Sequence, residues 1–287
     1  MNTLHFKHRT AHFFHIKNLF CCSLENIHFT AVDYRCINSY NLISSIKYTC
    51  LDDRNGQLYE REKTIGGAGL KKQLSKVMPL YSWGMLAVIL SVNYFVYFAT
   101  RPFTTGLKHY SMVGSLDKAL PFVPFFIFFY LFAYIQWIVG FVMIGRGGRD
   151  IAFRMFTGEL IAKSIAMVCF IFLPTTVEML RPNIESLQGG GIWCELSAQI
   201  FAMDAADNCF PSIHCLESWV CFRGAMKLKK SPAWYPYVML IMTLLVFAST
   251  VLVKQHVLFD IAGGVAAVEI GLFISHRLPL KRCIGEK

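Results

Sequence analysis

Ser249-Thr250, His256 and Asp260 stand in the pattern Ser-Thr-x5-His-x3-Asp. A helix beginning near His256 puts Asp260, at i+4, on the same face as that imidazole. A carboxylate in this position holds one ring nitrogen as the N–H donor and leaves the other as a nucleophile. Upstream, Phe210-Pro211-Ser212-Ile213-His214 supplies a second imidazole. Pro211 suits the first turn of a helix, where its missing N–H costs nothing. The N–H groups of that turn, aided by the helix dipole, can receive an anionic oxygen. Arg181, followed by Pro182, adds a planar and permanently charged phosphate ligand. Two histidines, a carboxylate, an arginine and a helix N-terminus suffice for phosphoryl transfer without a metal. One imidazole attacks phosphorus, the other protonates the departing oxygen, and the cation stabilises the transferring group. No cofactor or metal requirement is read from these residues.

The elements that must position them are membrane spans. Of 287 residues, 55% are hydrophobic and only 16% charged, with mean hydropathy +0.45. A soluble domain carries about 25% charged residues, so an ordinary water-soluble enzyme and long-range disorder are both excluded. Apolar runs of spanning length predict six helices, at roughly 80–99, 121–144, 158–180, 210–226, 236–254 and 257–275. The fourth is short and carries His214 and Glu217. The expected fold is all-α: a polytopic membrane protein, a six-helix transmembrane bundle with a poorly structured N-terminal extension. Its expected divisions are 1–77, 78–280 and a short tail, 281–287.

The net charge of +10 serves orientation, not nucleic acid binding. Arg146, Arg149 and Arg154 after the second span, and Arg223, Lys227, Lys229 and Lys230 after the fourth, share one side of the six-span arrangement. Lys71, Lys72 and Lys76, with Arg277, Lys281 and Arg282, fall on that side too. That side is expected to be cytoplasmic, with both termini, in a cell membrane. Arg181, Ser212, His214, His256 and Asp260 then gather at the opposite, extracytoplasmic face.

At these residues the sequence resembles the type-2 phosphatidic acid phosphatase superfamily, whose signatures run Lys-x6-Arg-Pro, Pro-Ser-Gly-His and Ser-Arg-x5-His-x3-Asp. Pro211-Ser212-Ile213-His214 and Ser249-Thr250-x5-His256-x3-Asp260 match the second and third; Arg181-Pro182 matches the end of the first. The resemblance covers about residues 80–275. It implies His256 as nucleophile, Asp260 as its orienting carboxylate and His214 as general acid and later base. It also implies Arg181 and Ser212 as phosphate contacts, Ser249 as a weaker one, and a phosphorylated lipid as substrate. Pro174, Ile213 and Thr250 replace the family's lysine, glycine and arginine, so two phosphate-binding cations are missing. Lys254 is a candidate replacement for one. This reduced set looks like the branch of inositol phosphorylceramide and sphingomyelin synthases, which pass a headgroup to a lipid alcohol. Hydrolysis, headgroup transfer and a non-catalytic transporter or pseudoenzyme are the competing functions.

Residues 1–77 mix His, Asn, Cys and charge without a sustained period. They read as a cytoplasmic extension or as a mis-called start upstream of Leu70–Met78. His5, His8, His12, His15 and His28 have helical spacings but no supporting carboxylate for a metal site. The ten cysteines form no CxxC pair or Cys/His metal spacing. Cys194 and Cys209 share the outer loop and are a candidate disulfide. Lys163, Glu178, Glu217 and Glu269 fall in predicted spans, where buried charge faces a bundle interior or cavity. Glu178 is placed to pair with Arg181, and Glu217 to tune His214 or pair with a cation. Gly263-Gly264 reads as a close helix contact. Gly189-Gly190-Gly191 lacks the Lys-Ser/Thr ending of a phosphate loop.

Overall fold

The computed structural model describes residues 45–52, 57–64, 67–104 and 106–280. The N-terminal histidines, Cys21, Cys22, Cys36, most of the leader and the tail 281–287 lie outside the described residues. The chain divides into two units, 1–71 and 72–287. In the first, the backbone forms an antiparallel hairpin of β1 (Ser45–Asp52) and β2 (Gln57–Thr64), with Ser45 opposite Thr64 and Asp52 opposite Gln57.

The second unit is helical. Helix α1 (Gly67–Val77) begins at the boundary between the units and leads to α2 (Leu80–Tyr94), which continues through a π-helical turn, Phe95–Ala99, to Thr104. Then follow α3 (Ser115–Ala119), α4 (Ile127–Arg146), α5 (Arg149–Phe172), α6 (Ile192–Met203), α7 (Ile213–Lys227), α8 (Tyr235–Leu252) and α9 (Leu258–Arg277). Among the described residues, five helical stretches are long and apolar enough to cross a bilayer: 80–104, 124–146, 149–172, 235–252 and 258–277. This is an integral membrane protein. Helix α7 has 15 residues and is the shorter sixth member of the bundle.

The third span differs from expectation. It runs over Arg149–Phe172, not 158–180, and only Gly147-Gly148 separates it from α4. Gly148 has φ +104°, a conformation glycine takes without strain, so the chain reverses in two residues. Arg149 and Arg154 therefore sit in the first turns of α5 instead of a loop, and Arg154 pairs with Asp150 at 2.7 Å. At the other end Pro174 disfavours helix at Leu173 and stops the span eight residues early.

Outward faces are apolar: Leu90, Ile138, Phe172, Ile241 and Phe273 are all exposed. Inside, Trp137, Phe141, Phe156, Phe170, Leu216, Val246 and Leu272 belong to one buried cluster. Missing Cβ atoms set the tightest contacts. A Cβ on Gly271 would lie 2.1 Å from the Gly158 carbonyl oxygen, so α5 and α9 touch backbone to backbone. A Cβ on Gly264 would lie 2.8 Å from the Ser212 oxygen, and one on Gly263 would meet the Phe210 ring at 2.4 Å. The glycine pair of α9 thus seats the segment that leads into α7.

Charge in the bundle interior is paired. Lys163 of α5 reaches Glu159 at 2.9 Å and Glu217 of α7 at 2.6 Å, and its ammonium donates to the Ile89 oxygen of α2 at 3.4 Å. Glu217 therefore answers a cation, not His214. Glu269 accepts from Trp219 and pairs with Arg223.

Candidate active site

Each site residue is held by the end of an element. Helix α7 starts at Ser212, whose hydroxyl accepts from the Cys215 N–H at 3.3 Å in the usual N-cap manner. Helix α9 starts just after His256, and Asp260 caps it: its Oδ2 accepts from the Val257 N–H at 3.0 Å. The same oxygen lies 3.3 Å from His256 Nδ1, the i, i+4 pairing that the spacing anticipates. A backbone bond from the Ser212 N–H to the Asp260 carbonyl oxygen, 3.1 Å, ties the two starts together. The corner between α8 and α9 closes in five residues, 253–257. Lys254 takes a left-handed φ of +57°, and the N–H groups of Gln255 and His256 both donate to the Thr250 oxygen, at 2.9 and 3.0 Å. Asp117 of α3 braces this corner by accepting from the Leu258 N–H at 2.9 Å.

The two imidazoles face one cavity. Their centroids are 6.4 Å apart, and both line a space of about 390 Å³ together with Arg181, Gln255, Asp204 and Asn208. His214 stacks on Tyr130 at 4.1 Å and 22°, with Trp137 at 5.1 Å and Tyr134 at 5.9 Å. Trp137 is itself fixed by donating to Ser218 Oγ at 3.0 Å, beneath the Gln136–Thr243 hydrogen bond of 2.8 Å. Nε2 of His214 has no hydrogen-bond partner among the described residues.

Arg181 enters from the outer side. Its guanidinium donates to the Asp204 carbonyl oxygen at 2.6 Å and to Gln255 Oε1, and lies over the Phe201 ring. It also forms part of the wall of a wider outer space of about 810 Å³ that includes His109, Thr176 and Glu178. Glu178 lies in a 3₁₀ turn outside the spans; its carbonyl oxygen accepts from the Arg181 N–H at 3.1 Å, but its carboxylate forms no ion pair with the guanidinium among the described residues, correcting the anticipated pair. Burial draws the Arg181 pKa down from its ordinary value. Burial also raises Asp204, to about 6, with Asp207 adding to the shift and His256 opposing it. Asp204 and Asp207 share one guanidinium, that of Arg101, at 3.3 and 3.1 Å. One cation shared between two carboxylates does not offset that burial at Asp204.

Three residues expected to contact phosphate have other partners in the structure. The Lys254 ammonium donates to the carbonyl oxygens of Asp117 and Leu120, at 3.0 and 2.7 Å, because the left-handed corner turns its side chain away from the cavity. Ser249 is fully buried and donates to the Val246 oxygen at 2.7 Å, a bond back along its own helix. Ser212 is occupied as the cap of α7. Cys194 and Cys209 are both free thiols, since Cys194 packs on α6 near Leu187 whereas Cys209 sits with Val177 and Val257.

Residues 152–282 match the family model of the PAP2 superfamily. Over that stretch, a little under half of the chain, the sequence is similar to the PAP2 superfamily. That stretch contains Arg181, Ser212, His214, Ser249, His256 and Asp260, while the aromatic wall from α4 and the Tyr97–Arg101 end of the first span precede it. Members of the PAP2 superfamily are generally phosphoesterases, and the match suggests a phosphatase- or phosphotransferase-type activity related to lipids. No curated protein and no solved structure matches the chain significantly.

Sequence reasoning missed Gln255, although it directly precedes His256, because an amide beside a histidine has no spacing signal of its own. It missed Tyr130, Tyr134 and Trp137 for a different reason: on an apolar helix, aromatic residues read as lipid-facing.

Proposed function

We propose that the protein is a lipid phosphatase or phosphotransferase that works through a phospho-histidine. The observation that carries this reading is the shared cavity of His214 and His256, with Asp260 on Nδ1 of His256 and Arg181 on the wall. With Nδ1–H held by Asp260, Nε2 of His256 attacks phosphorus and forms an N–P bond. The P–O bond to the leaving group breaks, and His214 delivers a proton to that oxygen. Arg181 neutralises charge on the equatorial oxygens. In the second half, water or a lipid hydroxyl gives its proton to His214 and attacks phosphorus, and the N–P bond breaks. His214, His256, Asp260 and Arg181 are the site on this reading; Ser212, Ser249 and Lys254 support it structurally. The substrate enters from the leaflet on the extracytoplasmic side, and both termini are cytoplasmic, a reading supported by the basic residues at the other end of the bundle.

One observation favours headgroup transfer as the second reading. Leu90, Tyr94 and Phe98 line the cavity yet are exposed on the apolar outer surface of the first span, so the cavity opens sideways toward lipid. An acceptor alcohol that lives in the bilayer has a path to the phospho-histidine through that side.

The test uses purified protein with labelled phosphatidic acid, isoprenyl pyrophosphate or phosphatidylinositol, with and without diacylglycerol or ceramide. Free phosphate is the expected product of hydrolysis, and an acceptor-dependent lipid that of transfer. His256→Ala is expected to abolish both while expression and membrane insertion persist. Full activity in that variant rejects the assignment of His256 as nucleophile, whereas indifference of the wild type to vanadate favours a transporter.

A further inference from the structure

The phosphate site as described has only one cation, Arg181, where the family pattern has three. Thr250 stands in place of an arginine, is fully buried, and donates to the Phe247 oxygen at 2.8 Å, so it contributes nothing to the cavity. The nearest spare donor is an amide. Gln255 is 2% exposed and lines the cavity beside His256. Its Oε1 accepts from Arg181, which fixes the orientation of the amide. Its Nε2 then faces the cavity without a hydrogen-bond partner among the described residues, and so does Nε of Arg181. A buried donor left unpaired costs free energy that a ligand oxygen can recover.

We infer that Gln255 is a direct phosphate ligand, its Nε2–H donating to an equatorial oxygen of the transferring group while its Oε1 aims Arg181 at the same group. The inference rests on the phosphoryl-transfer reading above. It assigns the vacancy at position 250 to a neutral donor five residues further on, reached from the corner instead of from α8. A neutral amide contributes hydrogen-bond geometry without charge, so the site holds a phosphoryl group less tightly than a three-cation site and releases it to an acceptor more readily.

The test measures orthovanadate binding to the full-length protein in detergent at neutral pH, by vanadium NMR or calorimetry. Gln255→Met removes donor and acceptor and is expected to weaken binding at least tenfold. Gln255→Lys keeps a donor but cannot accept from Arg181, and is expected to bind within threefold of wild type or more tightly. If the lysine variant does not fold, Gln255→Arg, another donor without an acceptor, takes its place. Equal weakening in the lysine and methionine variants overturns the inference, because Gln255 then only props Arg181. Unchanged binding in the methionine variant overturns it as well. Both of those outcomes leave the phosphoryl-transfer reading standing; absence of vanadate binding in the wild type removes both.

Discussion

Asp204 is the residue at which pH acts on the outer wall of the cavity. Its hydroxyl partner is Tyr97, its cation Arg101 is shared with Asp207, and its folded pKa is raised to about 6. The unfolded chain holds the ordinary value near 3.8. Between those values the folded protein keeps a proton that the unfolded chain has released. The stability contributed by that proton is complete below about pH 4 and is lost as pH rises through about 6. Asp204→Asn imitates the protonated form at all pH. It is therefore expected to melt several degrees above wild type at pH 7.5, on a scale of about 2–4 °C per kcal/mol, with the gap much reduced at pH 4.5. A gap of equal size at both pH values excludes this account. His256 and Asp260 show how much chemistry was readable from spacing, since an i, i+4 pair at a helix start needs no tertiary knowledge. Lys254 shows the limit. Its proximity in sequence made it a candidate cation, but a single left-handed residue rotated it toward the carbonyls of Asp117 and Leu120.

Among the elements, the site depends on how closely α9 approaches the start of α7. Gly264 leaves room for the Ser212 carbonyl, and the Ser212 N–H is bonded to the Asp260 oxygen within the same contact. Gly264→Ala places a Cβ 2.8 Å from a backbone oxygen, so the helices must part and carry His214 away from His256. Gly271→Ala, with its Cβ 2.1 Å from the Gly158 oxygen, strains the α5–α9 contact far from the imidazoles. Overpacking of this kind costs about 1–3 kcal/mol. The expected outcome is that Gly264→Ala loses turnover out of proportion to its melting temperature, whereas Gly271→Ala loses both in step. Equal loss of turnover in the two variants, at equal melting temperature, counts against the α7–α9 contact as the positioning element. Hydropathy found the spans but not all their ends. The α4–α5 turn needs only two glycines, and a six-span count based on loop charges assigned Arg149 and Arg154 to a loop that has no length. Helix α6 was read as part of a loop, because its 12 residues are too short for a span and its glycine-rich approach resembles a linker.

For the whole molecule, the bundle is joined at depth by Lys163, Glu159 and Glu217, which lie on α5 and α7 and touch the α2 backbone. All three are buried. Removing the lysine leaves two uncompensated carboxylates, a loss of about 3–5 kcal/mol where one partner of a buried ion pair is deleted. Lys163→Met is expected to reduce the yield of folded protein sharply. Adding Glu159→Gln and Glu217→Gln to it is expected to recover most of that yield, as measured by monodisperse elution and thermal melting in detergent. A triple variant no better than the single one excludes electrostatic pairing as the reason. Membrane character, the approximate number of spanning helices and the choice of His214, His256, Asp260 and Arg181 as candidates follow from sequence alone, because hydropathy and local spacing are properties of neighbouring residues. The tertiary structure decided which polar groups share the cavity. It brought Gln255, Asn208 and the aromatic residues of α4 to the two imidazoles, and turned Lys254 and Ser249 away from them. Such choices depend on corners and backbone contacts between distant segments, and no window of sequence contains both partners.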